Sequence, residues 1–164
     1  MILWLALSLV LHANAWPPAG WRLPTEADYS GDWLAFRQDV PTPFHVEADF
    51  NGDGVRDDAW ILLRSTGVGW RVVARVSQKG AAARTCDLVE PDGDASAQYH
   101  GIALVKPGRY ETACGKGYFE CETGEPEVLD LKRPAIEFFK YESASSIFFW
   151  ESKAKRFRQV WISD

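Results

Sequence analysis

The segments "AWILLR" and "WRVVARVS", joined by "STGVG", constrain the fold of this chain more than any other feature. Each is a short run rich in β-branched and aromatic residues, and a glycine-containing connection of this length reads as a hairpin. In the second segment Val72, Ala74 and Val76 share one face and Arg71, Val73 and Arg75 the other, the period of two expected of a strand. The first segment is nearly all apolar, which predicts a central position in its sheet.

Glycine and proline punctuate the whole chain, and no internal repeat or low-complexity tract interrupts it. In all, strands are expected at 44–48, 59–64, 71–77, 102–105, 109–112, 127–131, 147–151 and 157–162. "VKPGRY" and "ESKAKRF" have the composition of tight turns, with Pro107-Gly108 suited to a type II turn. The best helical candidate is "LPTEADYSGDWLAFRQDVPTP". Thr25 and Asp28 there approximate a capping box, Ser30-Gly31 divides the helix in two, and Pro41 and Pro43 end it. The second piece carries Trp33 and Phe36 on one face. The predicted fold is mainly β (α+β): antiparallel meanders and hairpins with a short N-terminal helix packed on one side.

Residues 1–15 read as a secretory signal, because the apolar run Ile2 to Leu11 precedes the small-x-small pattern Ala13-Asn14-Ala15. The run is too short for a stable membrane span, which takes roughly 20 apolar residues. Residues 16–164 are then expected to form a single β-rich domain, periplasmic or secreted. A formal net charge of −5 argues against nucleic acid as a partner, since phosphate binding needs a basic surface. Export places Cys86, Cys114 and Cys121 where disulfides persist. Cys114 with Cys121 is the favoured pair, across the connection "GKGYFE", and Cys86 with Cys114 is the alternative. No CxxC or CxH spacing points to zinc.

The segment "DFNGDGVRD", residues 49–57, crowds three carboxylates into nine positions. Asp49, Asn51, Asp53 and Asp57 occupy positions 1, 3, 5 and 9, and Val55 at position 7 offers a backbone carbonyl. Oxygen ligands at this spacing wrap a calcium ion at about 2.3 to 2.6 Å. Without a cation the carboxylates repel and one tends to hold a proton. Magnesium fits less well because it demands octahedral geometry and keeps its water, and an all-oxygen set disfavours zinc or copper.

Position 12 is Trp60, where helix-loop-helix calcium sites supply a glutamate, and the apolar strand "AWILL" follows in place of a helix. Over residues 48–62 the chain resembles the calcium loops of FG-GAP and VCBS-type repeats, in which such a loop leads directly into a strand. The resemblance implies a Ca²⁺ site made by Asp49, Asn51, Asp53, Val55 and Asp57, with Asp57 completing the shell and Asp58 turned away. It does not imply a propeller, which needs several four-stranded blades, whereas the chain has one such loop. "GYFEC" and the closing "SSIFFWES…FRQVWISD" are similar to segments of exported bacterial proteins and imply no activity.

Other chemistry is weaker. "ACGKGY" lacks the first glycine of a phosphate loop. His45, beside Glu47, and His100, beside Tyr99, are the histidines left after signal removal, and no GxSxG accompanies them. Cys86 is an ordinary leftover thiol in this reading, Pro91 to Ser96 a turn with two carboxylates and a weaker claim to an ion, and Lys153, Lys155 and Arg156 a basic turn. Of the tryptophans, most are expected in the core, with Trp16 and Trp21 set apart among prolines and an aromatic platform for a sugar or peptide the alternative.

The functional expectation is an exported, non-enzymatic calcium-binding protein whose ion fastens a β-hairpin and supports recognition of a protein or polysaccharide partner. The alternatives are an envelope inhibitor or immunity-type binding protein, and a hydrolase using His45 or His100.

Overall fold

A computed structural model describes residues 15–91 and 96–163. Residues 1–14 of the expected signal segment and 92–95 of the Pro91 to Ser96 turn lie outside the described residues. The strands are β1 (Trp21–Arg22), β2 (His45–Ala48), β3 (Asp57–Arg64), β4 (Trp70–Gln78), β5 (Ala81–Val89), β6 (His100–Val105), β7 (Gly108–Glu111), β8 (Val128–Leu131), β9 (Ala135–Lys140), β10 (Ser145–Glu151) and β11 (Arg156–Ser163). Helix is confined to short pieces: a 3-10 turn at Glu26–Asp28, α1 at Gly31–Ala35 and a second 3-10 turn at Ala97–Tyr99. The fold is mainly β and antiparallel throughout its sheets. No helix among the described residues is long and apolar enough to cross a membrane.

β3 is central, as its apolar sequence requires. It pairs with β4 along one side, and on the other side β2 takes Asp57 to Trp60 while β1 takes Leu63 and Arg64. β5 closes the far edge against β4. A second sheet runs β11-β10-β9-β6, and β7 and β8 form a separate hairpin.

Alternation along β9 and β10 shows how these layers stack. Ile136 and Phe148 join a core with Ile61, Leu63, Val72 and Ala74 of the first sheet, together with Trp33, Phe44 and Phe50. Their neighbours Ala135 and Ile147 point the other way, into a smaller core with Leu129 and Leu131 of β8. Along β9 and β10 the second sheet is therefore covered on both faces, each period-two set meeting a different partner. Ile61, Val72 and Ile136 are fully buried, a gain of about 1.5 to 3 kcal/mol for each such side chain relative to exposure.

The N-terminal helical segment divides at Ser30 as expected. The Asp28 carboxylate accepts the Thr25 amide at 2.7 Å and the Thr25 hydroxyl at 3.0 Å. It also receives both arms of the Arg22 guanidinium, at 2.7 and 2.8 Å. Trp33 is fully buried and donates its indole N–H to the His100 carbonyl at 2.7 Å, and Phe36 stacks on Tyr141.

Three strands, β1, β5 and β9, fall outside the expected ones, and one expected turn is corrected. β5 was not expected, because "AAARTCDLV" opens with alanine and arginine, residues of low strand propensity; pairing with the buried strand β4 overrides that preference. β1, two residues long, is also set by its pairing with β3. β9 was missed because Pro134 and Glu137 disguise a strand that lies between β6 and β10. Pro107-Gly108 does not make a type II turn: Gly108 lacks the positive φ such a turn needs and begins β7, so the chain passes there from one sheet to another.

Candidate metal centre

The register pairs Ala48 with Asp57, so the acidic segment is the connection between β2 and β3. Phe50 anchors it: the ring is fully buried and meets Phe157 of β11 edge-on at 6.1 Å. Gly52 and Gly54 have φ of +79° and +83°, the left-handed region that a residue without Cβ enters at little cost. Gly52 is restricted a second time, since a Cβ there would lie 2.3 Å from Nε of Arg133. Arg133, which also donates to the Ser152 hydroxyl at 2.8 Å, thus lays a guanidinium against the acidic loop.

The loop folds around its own carboxylates. Asp49 accepts the amides of Gly52 (2.7 Å) and Asp53 (3.1 Å) on Oδ1 and that of Gly54 (2.9 Å) on Oδ2. Asn51 Oδ1 accepts the Asp53 amide at 2.8 Å, and Asp53 Oδ1 the Val55 amide at 2.8 Å. Val55 itself is half-buried at the turn back towards β3. Asp57, fully buried, accepts Phe50 (2.9 Å) and Asn51 (3.3 Å) on Oδ2 and Ser77 of β4 (2.8 Å) on Oδ1. Burial pushes its carboxyl upward in pKa, and the amides of Ser77, Phe50 and Asn51 oppose that shift.

Each carboxylate oxygen has two acceptor positions. The amide bonds occupy both on Asp49 Oδ1 and Asp57 Oδ2. They leave one on Asp49 Oδ2, on Asn51 Oδ1, on Asp53 Oδ1 and on Asp57 Oδ1. The remaining donors are hard oxygens, the class that calcium takes. Among the described residues no group of three or more His, Cys, Asp or Glu side chains is gathered tightly enough to hold a metal by itself. A full shell therefore needs the Asn51 amide oxygen, the Val55 carbonyl and water beside the carboxylates.

Asp58 is turned away from the loop as expected, but it is buried there, on the opposite face of β3, where it accepts Arg75 (2.8 and 3.1 Å) and the Trp60 indole (2.9 Å). Neighbouring residues of one strand face opposite ways, so Asp57 serves the loop and Asp58 the sheet surface.

The histidines are built into ring stacks. His45 lies on Trp60 with centroids 3.7 Å apart, and burial pushes its pKa down. His100 is parallel to Phe138 and tilted against Trp70, its Nδ1 3.3 Å from the Ser96 carbonyl, and burial likewise lowers its pKa. Cys86 pairs opposite Ala74 and packs against the larger core. Cys114 and Cys121 form the favoured disulfide, closing a loop between β7 and β8.

Sequence reasoning missed the arginines that use the tryptophans. Trp33 and Trp70 are core residues, but Trp21 lies under both Arg64 (4.3 Å) and Arg71 (4.4 Å), Trp16 under Arg75 (4.8 Å) and Trp150 under Arg84 (5.3 Å). The alternating Arg71 and Arg75 of β4 were the available signal, since a strand face that repeats arginine calls for carboxylates or ring faces. No family model matches this chain, and neither the curated proteins nor the solved structures contain a match to it.

Proposed function

We propose that this chain is an exported, non-enzymatic calcium-binding domain in which one ion fastens the β2–β3 connection. The carrying observation is the acceptor count: the loop is closed between the paired residues Ala48 and Asp57, yet Asp49, Asn51, Asp53 and Asp57 each retain an acceptor position. Asp49, Asn51, Asp53, the Val55 carbonyl and Asp57 would hold the ion. The bound ion supplies positive charge that neutralises the acidic turn.

The protein's own residues do the positioning. Phe50 and the three amides on Asp57 tie the loop to both β4 and β11, and the two left-handed glycines aim its amides inward at Asp49. Asp57 begins β3, so restraint of the loop also restrains the register of the central strand; a slip of one residue would exchange Asp57 with Asp58 and turn the core face outward. Export rests on the apolar leader sequence, and the Cys114–Cys121 disulfide is compatible with an oxidising compartment. Extracellular modules of this class hold calcium at about 10⁻⁴ to 10⁻³ M. In this reading the fastened loop supports a surface that a protein or polysaccharide recognises.

Calorimetric titration of the chelator-treated protein tests the proposal. One calcium per chain is expected, with magnesium much weaker and Asp49→Asn/Asp53→Asn silent. Absence of calcium heat in the wild-type protein, or equal heat in the double variant, overturns it.

A further inference from the structure

A second candidate site lies far along the chain from the acidic loop. The disulfide-closed segment is docked on β11: the Ala113 amide donates to the Trp161 carbonyl at 2.8 Å, and Lys116 Nζ to the Ile162 carbonyl at 2.7 Å. Thr112, fully buried, ties the base of the segment to the Pro126 and Glu127 carbonyls at 2.8 and 3.0 Å. The loop is thus held at its base, at its disulfide and along one side. What it presents from this support is apolar. Phe119 is 42% exposed and the adjacent Trp161 43%, an unusual expense of large rings on a surface. Both line a cleft of about 440 Å³ completed by Glu122, Ala144 and Ser163. Neither ring is in contact with another ring, and Glu122 has no ion-pair partner, among the described residues.

We propose that this cleft binds a small alkylammonium cation, with a quaternary ammonium head group as the best-matched class. Aromatic faces carry negative charge density and attract a cation within about 6 Å of the ring. Two exposed rings that line one cleft without a ring partner leave aromatic surface available to a cation, and the Glu122 carboxylate, which has no ion-pair partner among the described residues, supplies the charge. A quaternary ammonium is weakly hydrated and bulky, so it loses little solvation on entry and fills the space between rings. The nearby basic groups are engaged elsewhere. Lys116 lies 6.0 Å from the Tyr118 ring while bonded to Ile162, and Arg158 donates to the Gly124 carbonyl with Glu151 3.9 Å away. The adjoining cleft shares Phe119, Glu122 and Trp161 with this one and adds Thr123, Glu125, Arg158 and Gln159, so the shared rings have Glu125 as a second carboxylate nearby and an arginine already held by Gly124 and Glu151. A disulfide-held loop loses little conformational freedom on binding, which favours even a small ligand.

The test is a tryptophan-fluorescence titration of the intact folded protein with choline chloride, sodium chloride holding the ionic strength constant. The uncharged isostere 3,3-dimethylbutan-1-ol is titrated in parallel. Saturable quenching by choline is expected, with the isostere about tenfold weaker or more, since it has the shape without the charge. Because Trp161 is itself a reporter, binding by the variants is read by calorimetry. Phe119→Ala and Trp161→Ala should each abolish binding, and Glu122→Gln should weaken it severalfold, with circular dichroism unchanged. Phe119 sits on the loop, outside any strand, so its variant keeps the test valid if replacement of Trp161 disturbs β11. No saturation by choline, equal binding of the isostere, or full binding by a folded Phe119→Ala protein overturns the proposal.

Discussion

Asp57 on β3 accepts the Ser77 amide of β4 at 2.8 Å while its second oxygen accepts Phe50 and Asn51. One buried carboxylate therefore joins the acidic loop, the central strand and the neighbouring strand. Removal of the acceptor strands three amides, and a buried donor left without a partner costs about 1 to 3 kcal/mol. Asp57→Ala is expected to lower unfolding free energy by about 3 kcal/mol or more in urea titration, in chelator as well as in calcium. An equal midpoint for variant and wild type in chelator would show that these bonds carry no weight.

Gly52 combines a left-handed backbone with a close approach to Arg133. Gly52→Ala is expected to cost about 1 to 2 kcal/mol from backbone conformation alone, with a further loss from the displaced guanidinium. Arg133→Ala in the same chain should recover the second part only. A double-mutant cycle measures it, and strict additivity would mean that the arginine moves aside freely.

The Cys114–Cys121 bridge spans a sequence separation of seven residues. Closure of a loop this short constrains the unfolded chain by about 2 kcal/mol. Cys114→Ala/Cys121→Ala should lower the urea midpoint accordingly and increase protease cleavage between residues 114 and 121. The acidic loop, tied down independently by Phe50 and Asp57, should keep its protection from hydrogen exchange.

Arg22 beside Asp28 holds that carboxyl at about 2, below its ordinary value of 3.8, helped by the Thr25 amide and hydroxyl and opposed by burial. The folded state therefore takes up this proton at lower pH than the unfolded state does. The resulting stability is complete above the unfolded value and is lost as pH falls from about 4 through 2. Urea midpoints of Asp28→Asn should lie below wild type at neutral pH and converge with it across that window. Parallel curves would contradict the assignment.

Where burial and alternation agree, the fold was legible. "AWILLR" lies centrally and pairs with "WRVVARVS", as its nearly continuous apolar run and the period of two beside it predict. Thr25, Asp28 and Ser30-Gly31 mark helix boundaries by side-chain chemistry local to the segment. β5 and β9 were not legible, since their strand state comes from neighbours distant in sequence: β4 pulls an alanine-led segment into the sheet, and β6 with β10 accommodate Glu137. The loop's candidate oxygen-bearing residues could be named from spacing. Their amide partners could not, and neither Arg133 over Gly52 nor Ser77 against Asp57 has a local sequence signal. The aromatic cleft was equally hidden, because Phe119 and Trp161 come to line one cleft only through docking of the disulfide loop on β11.

Thermal unfolding of the intact chain in chelator and in calcium bears most directly on the account. With free calcium about 100 times its dissociation constant, the folded state should gain about 2.7 kcal/mol. For a domain of this size that raises the midpoint by about 5 to 10 °C, with a smaller rise in magnesium and none in Asp49→Asn/Asp53→Asn. Superimposable melts of the wild-type protein in chelator and in saturating calcium would contradict the account.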